Sequence, residues 1–124
     1  MGTILTTIEV ENPRRPGARL ELPNTVVDSA KFATWIPRAV LEALDITVQR
    51  RMEFLAPEGL RIDRDIGYAL VRAGGSEAPD FVVFAEPGDP VVLGWHSLAG
   101  LNLKIDPVRK ELVYAGPIIA SAVA

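Results

Sequence analysis

Apolar and polar residues alternate through much of the chain, and this two-residue period is typical of half-buried β-strands. The first alternating stretch covers residues 3–10, and the pattern resumes at residues 18–22 after a break that contains two prolines and a glycine. Pro23-Asn24 then predicts a bend that leads into the strand ending at Asp28. A second strand pair is predicted at residues 50–55 and 60–71, joined by a turn with proline and glycine. Strands joined in this way indicate hairpins rather than units in which strands alternate with long helices.

Helical spacing is confined to two short segments. Pro37 suits the first position of a helix, and the apolar residues that follow it recur on one helix face, which predicts a helix near residues 37 to 45. A second segment of one or two helical turns is predicted after Gly94. Three further strands are predicted at residues 81–84, 101–105 and 111–114. The sequence therefore indicates one mainly β domain over residues 1–124, with one or two short helices.

The composition is that of an ordinary globular domain, and it narrows the classes of partner. Of the 124 residues, 48% are hydrophobic, which is enough apolar material for one core. Lys and Arg total 13 against 16 Asp and Glu, so we expect neither nucleic acid nor an anionic membrane as a partner. The sequence has no cysteine and no apolar run of about 18 residues. We therefore expect a cytoplasmic protein without disulfides.

Asp28 is the first candidate for chemistry because it lies between the apolar strand at residues 25–27 and a second apolar cluster at residues 32–36. An ionised carboxylate beside buried segments needs hydrogen-bond partners, and such groups are frequent in active sites. For an isolated Asp-Ser pair, the simpler interpretation is an aspartate at the end of a loop that accepts a hydrogen bond from its own backbone.

No other pattern indicates a catalytic or metal-binding site. His96 is the only histidine, and a metal site would need further ligands at a recognisable spacing. No Gly-x-Ser-x-Gly sequence is present for a serine hydrolase, and without cysteine there is no thiol nucleophile. We therefore expect neither a metal nor another cofactor, and we interpret His96 as a structural residue.

The segment Val26-Val27-Asp28-Ser29-Ala30-Lys31 resembles the catalytic motif of the retropepsin-like aspartic proteases, in which two apolar residues precede Asp, Ser or Thr, Gly and Ala. The similarity to small single-domain bacterial and archaeal members extends over most of the chain. It includes the proline-rich connection at residues 12–16, the helix after Pro37, the turn at residues 56–59 and the segment at residues 91–94. Ala30 stands where the family has Gly, and Lys31 stands where it usually has Ala.

The resemblance implies a small closed β-barrel of the retropepsin type and an active-site loop. That loop would comprise Asp28, Ser29, Ala30 and Lys31. Asp28 would be the catalytic residue, and the hydroxyl of Ser29 would bond across a twofold axis. If the backbone at residue 30 needs the positive φ that glycine allows, Ala30 would be strained by about 1 kcal/mol or more. Lys31 would stand near the inner end of the cleft, pointing either at the catalytic carboxylates or outward.

The resemblance also implies two further parts of the site. The flap over the substrate cleft would comprise Ala56, Pro57, Glu58 and Gly59. Leu93 and Gly94 would lie beside the active-site loop, where glycine permits a close backbone approach.

Aspartic proteolysis requires two carboxylates close enough to share one proton. The chain carries one copy of the motif, so the resemblance implies a homodimer in which Asp28 faces its own copy, acting on polypeptides. The alternative is a retropepsin-fold dimer with impaired catalysis that binds peptides or supports assembly. The substitutions at Ala30 and Lys31 favour this alternative, whereas Asp28, Ser29, Leu93 and Gly94 favour the peptidase.

The carboxy-terminal run at residues 116–124 carries no charged side chain and includes two adjacent isoleucines. We expect a second protomer to cover it, since terminal strands are covered in this way in retropepsin-like dimers. Packing on its own domain and fraying are the alternatives.

Overall fold

Strands dominate the structure, a computed structural model that describes residues 3–120. The nine strands in that range are β1 Thr3–Glu11, β2 Arg19–Asp28, β3 Trp35–Pro37, β4 Arg50–Leu55, β5 Arg61–Ala73, β6 Ser76–Ala85, β7 Val92–Leu93, β8 Leu103–Asp106 and β9 Glu111–Tyr114. The two α-helices in the same range are α1 Arg38–Ala43 and α2 Trp95–Leu101, and Pro57–Gly59 forms a 3₁₀ turn. The prediction of a mainly β chain with short helices after Pro37 and Gly94 is confirmed.

Seven strands form one sheet in the order β1-β2-β7-β3-β6-β5-β4, and β8 pairs with β9 in a separate hairpin. Strand β1 also pairs with β5, so the hydrogen-bonded order returns to its starting strand through six of the seven. Strand β5 is long enough to pair with β4 over its first half and with β1 near its end, on the edge opposite β6. Strand β4 pairs only with β5 among the described residues and keeps one free edge.

The alternation predicted for the first strand places its apolar side chains in the core. Ile4, Ile8 and Val10 are buried, whereas Leu5 between them is exposed. Strand β2 continues through Pro23 and Asn24, and the pairing with β1 gains one extra residue on β2 there, which is the signature of a β-bulge. Asn24 adopts a positive φ of 53°, so the break expected from the sequence is a bend within one continuous strand.

Three elements differ from the sequence prediction in their bounds. Strand β6 begins at Ser76 rather than at residue 81, because its first residues pair with β5 across the tight turn at Gly74. Pro37 is not the first residue of the helix. It is the last residue of the short strand β3, and α1 begins at Arg38. The last predicted strand pair is correct in place, with β8 beginning two residues later than expected because α2 extends through Leu101.

Buried side chains form two clusters. The larger one joins β1, β2, β5, β6 and both helices, and its fully buried members include Ile8, Val10, Val27, Leu41 and Phe84. The smaller one lies between β3 and the β4–β5 hairpin, where Trp35, Ile66 and Val83 contact the partly buried Phe54 and Met52.

A set of ion pairs lies where β1 meets β5. Arg72 of β5 pairs with Glu9 and Glu11 of β1 at 3.2 and 2.5 Å and with Glu77 of β6 at 2.8 Å. Glu11 is 6% exposed, and its second oxygen accepts the backbone N–H of Gly17 at 2.9 Å. These partners, the Gly17 N–H first and the Arg72 guanidinium second, lower the pKa of Glu11 from its ordinary value.

We predict that Glu11→Gln lowers the melting temperature at neutral pH and that this loss shrinks in acid. Because the folded-state pKa lies below the unfolded value of about 4.3, the stabilisation is complete above that value and is lost as the pH falls through the folded pKa. Thermal denaturation by circular dichroism at neutral pH and at about pH 3 measures the difference. Glu21→Gln on β2 is the matched control, since Glu21 is exposed and forms no ion pair within residues 3–120. A Glu11→Gln deficit of the same size at both pH values would contradict the prediction.

Candidate functional site

Asp28 is the last residue of β2, and the strands on either side of β2 fix its position. Val27, immediately before it, is fully buried and pairs with Leu93 in the parallel β2–β7 ladder. On the other side Asp28 pairs with Thr3 of β1. The Asp28 side chain is half-buried. A carboxylate therefore stands where a buried strand reaches the surface of the molecule.

The residues Asp28 to Lys31, here called the Asp28 loop, form a tight turn around the carboxylate. The Ala30 N–H donates to Asp28 Oδ1 at 2.9 Å, and the Lys31 N–H donates to the Asp28 carbonyl at 3.1 Å. A side-chain oxygen bonded to the backbone two residues on is the geometry of an ordinary loop-end aspartate. The same bond also holds the carboxylate in a fixed orientation, which a catalytic acid or base requires.

The two substituted positions of the loop cause no visible distortion. Ala30 does not have a positive φ, so the backbone strain that would follow from a left-handed residue at this position does not arise. Lys31 is exposed and forms no ion pair within residues 3–120, so its ammonium is not held against Asp28 in the single chain.

Gly94 lies against Phe32 and Ala33, the residues that follow the Asp28 loop. A Cβ at Gly94 would overlap the carbonyl oxygen of Ala33 and would lie 2.6 Å from the Ala33 carbonyl carbon and 2.8 Å from the Phe32 oxygen. Its φ of −92° is accessible to any residue, so the glycine is required by space and not by conformation. The chain that follows β7 can approach the backbone of Phe32 and Ala33 this closely only without a side chain at position 94.

Helix α2 begins immediately after Gly94 and is bonded to the same segment. The Trp95 N–H donates to the Lys31 carbonyl at 2.7 Å, and the His96 N–H donates to the Phe32 carbonyl at 3.0 Å. The first N–H groups of a helix have no partner within the helix, and here the chain after Asp28 supplies the acceptors.

The β4–β5 hairpin carries the predicted flap at its tip. The tip comprises Ala56, Pro57, Glu58 and Gly59 and is closed by a hydrogen bond from the Ala56 N–H to the Leu60 carbonyl at 2.7 Å. Glu58 adopts a φ of 66° and Gly59 one of 80°. Leu55 and Leu60 flank the tip and are 74% and 63% exposed, so the hairpin ends in an apolar surface. Near the tip, Phe54 of β4 packs against β3, where the Phe54 and Trp35 rings lie 5.0 Å apart.

Two arginines connect β5 to the loop before β7. Arg38 bonds Asp65 at 2.5 Å and Glu86 at 2.9 Å, and these acceptors, Asp65 first, raise the pKa of Arg38 above its ordinary value. Arg64 forms a two-pronged pair with Asp89 at 2.6 and 2.9 Å, which lowers the pKa of Asp89. These pairs therefore join β5, one arm of the hairpin, to the loop at residues 86–90 at two places.

The structure also contains a buried polar group that the sequence interpretation missed. Thr34 and Ser97 are 1% and 2% exposed, and their hydroxyl oxygens lie 2.5 Å apart. Ser97 donates to Asp80 Oδ2 at 2.6 Å, and His96 Nδ1 lies 2.9 Å from Asp80 Oδ1. The available signal was a polar residue within or beside an apolar run: Thr34 before Trp35-Ile36, and Asp80 before residues 81–84.

A groove of about 410 Å³ opens beside the Asp28 loop, between α2 and β8. Ser29 of the loop lines it together with mostly apolar residues, which are Trp95, Leu98, Ala99, Leu103, Lys104, Ile105 and Pro107. Trp95 is 45% exposed there. Ser29 is thus the member of the Asp28 loop that faces an apolar depression.

Neither described helix is long and apolar enough to cross a lipid bilayer. Within residues 3–120, the acidic and histidine side chains do not gather in groups of three that could hold a metal ion. No protein-family model matches the chain, and the curated proteins show no significant sequence match to it.

We predict that Gly94→Ala destabilises the protein by about 3 kcal/mol, the upper end for overpacking, because the new Cβ meets backbone atoms that cannot move aside. Urea denaturation followed by circular dichroism measures the change. Gly100→Ala is the matched control within α2, where the added Cβ would meet only the Ala78 Cβ at 3.6 Å. Its stability should be unchanged or raised by up to about 1 kcal/mol, since alanine favours a helix. Equal effects of the two substitutions would show that the approach of Gly94 is not tight.

Proposed function

We propose that the protein is a homodimeric aspartic peptidase of the retropepsin type that hydrolyses polypeptides. The observation that carries the proposal is the arrangement around Asp28, whose carboxylate accepts the Ala30 N–H while Gly94 lies against the chain that follows. The resemblance to the retropepsin-like motif implied the close approach of Gly94, whereas the bond from the Ala30 N–H is also expected of an ordinary loop-end aspartate. The geometry around Asp28 and Gly94 supports the proposal.

The chemistry needs a second carboxylate beside Asp28. With one proton shared between two carboxyl groups, one of them removes a proton from water while the other donates to the carbonyl of the scissile peptide bond. The chain supplies Asp28 once, so the proposed site forms where two copies meet about a twofold axis. The half-buried position of Asp28 at the end of β2 leaves its carboxylate accessible to a partner.

The proposed fold is the closed β-barrel of the retropepsin type. Its support is the return of the strand order β1-β2-β7-β3-β6-β5 to β1 and the parallel pairing of β2 with β7 beside the Asp28 loop. In this proposal the β4–β5 hairpin is the flap. The exposed Leu55 and Leu60 at its tip supply apolar contacts to an extended peptide, and the pairs of Arg38 and Arg64 hold its arm.

Asp28→Asn tests the peptidase directly, since it keeps the shape of the side chain and removes its acid–base chemistry. We expect the native chain to cleave an unfolded protein in acid, in a manner inhibited by pepstatin, and Asp28→Asn to lose on the order of 10³-fold or more of that rate. Fragment formation followed by mass spectrometry is the measurement. Equal cleavage by the two proteins would reject the peptidase, because it would come from a contaminant or from another residue.

The second candidate function is a dimer that binds peptides without turnover, and the residue that favours it is Lys31, which stands where the resembling family usually has Ala. An ammonium near paired carboxylates would favour ionisation of both and remove the shared proton. The double variant Ala30→Gly with Lys31→Ala separates the candidates. Cleavage by the double variant alone assigns the native chain to the binding class, whereas cleavage by the native chain supports the peptidase.

The proposed dimer interface includes the groove beside Ser29 and the carboxy-terminal segment of the other copy. The segment leaves β9 next to this groove, since Asn102, which ends α2, bonds the Ala115 N–H at 2.9 Å and the Gly116 carbonyl at 3.0 Å. Ile118 and Ile119 are 75% and 95% exposed in the single chain, so they do not pack on their own domain. Residues 121–124 of the expected interface segment lie outside the described residues.

We predict that truncation after Gly116 weakens the dimer while the fold is retained. Burying each isoleucine contributes roughly 1.5 to 3 kcal/mol before ordering costs, so the dissociation constant should rise at least about tenfold. Sedimentation equilibrium measures the constant, and far-ultraviolet circular dichroism checks the strands. Val48→Ser is the control, because Val48 is 46% exposed but does not line the groove. An unchanged dissociation constant in the truncated chain would remove this segment from the interface.

A further inference from the structure

Asp80 is a buried carboxylate that the proposed reaction does not use. Its side chain is 6% exposed and lies on β6. Three groups approach its two oxygens: the Ser97 hydroxyl at 2.6 Å, the Phe81 N–H at 2.8 Å and His96 Nδ1 at 2.9 Å. These donors offset the cost of burying the carboxylate. Because an ionised carboxylate can only accept hydrogen bonds, it also fixes which atom donates in each bond of the network.

The bonds through Ser97 form a chain with one direction. The single hydroxyl proton of Ser97 goes to Asp80, so the bond between Ser97 and Thr34 must use the Thr34 proton. The Thr34 oxygen is then free to accept the Gly94 N–H, which lies 3.0 Å away. Gly94, Thr34 and Ser97 therefore donate in sequence toward the charge of Asp80.

The bond to His96 holds the same corner from a second side. An ionised Asp80 requires a proton on Nδ1 of His96. The His96 ring packs against the Phe32 and Phe81 rings at centroid distances of 5.4 and 5.1 Å. The backbone N–H of His96 in turn donates to the Phe32 carbonyl. Asp80 is thereby connected to both sides of the contact between Gly94 and the chain that follows Asp28.

We propose that Asp80 is a positioning residue for the Asp28 loop. Resting on the proposed peptidase function, this inference assigns to the β6 carboxylate the task of holding Gly94 and the start of α2 against residues 32–34. The Asp28 carboxylate is then presented at a fixed place to the second copy. Asp80 touches neither substrate nor the reacting atoms.

Asparagine cannot take over this role, although it has the same shape. If the amide oxygen faces Ser97, the amide NH₂ faces the Phe81 N–H, which is also a donor. If the NH₂ faces Ser97, the direction of the chain reverses and the Thr34 hydroxyl loses its acceptor. Either orientation leaves one buried polar contact unsatisfied.

The experiment compares Asp80→Asn with Glu21→Gln, the same loss of a carboxylate at an exposed position of β2 that forms no ion pair within residues 3–120. Backbone amide exchange by NMR in the native homodimer reports on Gly94, Ala30 and Lys31, and peptide cleavage gives kcat and KM. We expect Asp80→Asn to raise exchange at these three amides at least about tenfold more than at the β1–β5 pairs, and to lower kcat about tenfold with KM within about twofold. Glu21→Gln should change neither. Unchanged relative exchange, or a kcat loss equal to the loss of folded protein, would overturn the proposal.

A second pair of variants decides the matter if Asp80→Asn does not fold. Thr34→Val keeps the shape and removes the hydroxyl, whereas Thr34→Ser keeps the hydroxyl and removes a methyl group. The proposal requires faster exchange at Gly94, Ala30 and Lys31 in the valine variant than in the serine variant. The reverse order would overturn it. Amide exchange does not depend on catalysis. If the native chain is inactive, the peptidase proposal is rejected, and the exchange of these three amides still tests the role of Asp80.

Discussion

The backbone contact between Gly94 and the segment Phe32–Ala33 is the constraint on which the candidate site depends. It lets β7 lie parallel to β2, and it brings the first N–H groups of α2 within reach of the Lys31 and Phe32 carbonyls. These bonds satisfy a helix end and a loop at the same time. Without that approach, the first N–H groups of α2 would lose their acceptors, and the chain after Asp28 would lose its place beside the sheet.

The parts of the fold that follow from local pattern could be predicted from the sequence. Alternation identified β1, β4 and β5, because each buries one face and leaves the other in water. The bend at Pro23-Asn24 followed from turn chemistry, and the structure realises it as a bulge. The beginning of β6 escaped prediction because Pro79 and the small residues around it carry no strand signal, and only pairing with β5 makes them a strand.

The parts that depend on distant partners could not be predicted in this way. Asp28 was identified because its motif is contiguous, but the bonds joining Thr34, Ser97 and Asp80 link residues up to 63 positions apart. A lone polar residue in an apolar run shows that a partner is needed and does not show which one. The sequence predicts strain at Ala30 only if the φ of this residue is positive. The structure shows that it is not positive, so the strain does not arise.

The outer edge of β4 is a place where another strand could add to the sheet, since β4 pairs only with β5 among the described residues. Strands β2 and β6 meet β7 and β3 over only two and three residue pairs, but β4 is the one strand of this sheet whose whole outer edge lacks a partner within residues 3–120. Arg50, Arg51 and Glu53 occupy that strand, and their hydrated side chains disfavour the docking of a flat, apolar strand from another molecule. The charges of β4 therefore oppose aggregation along this edge. This protection ends at Leu55, an exposed apolar residue at the end of the strand.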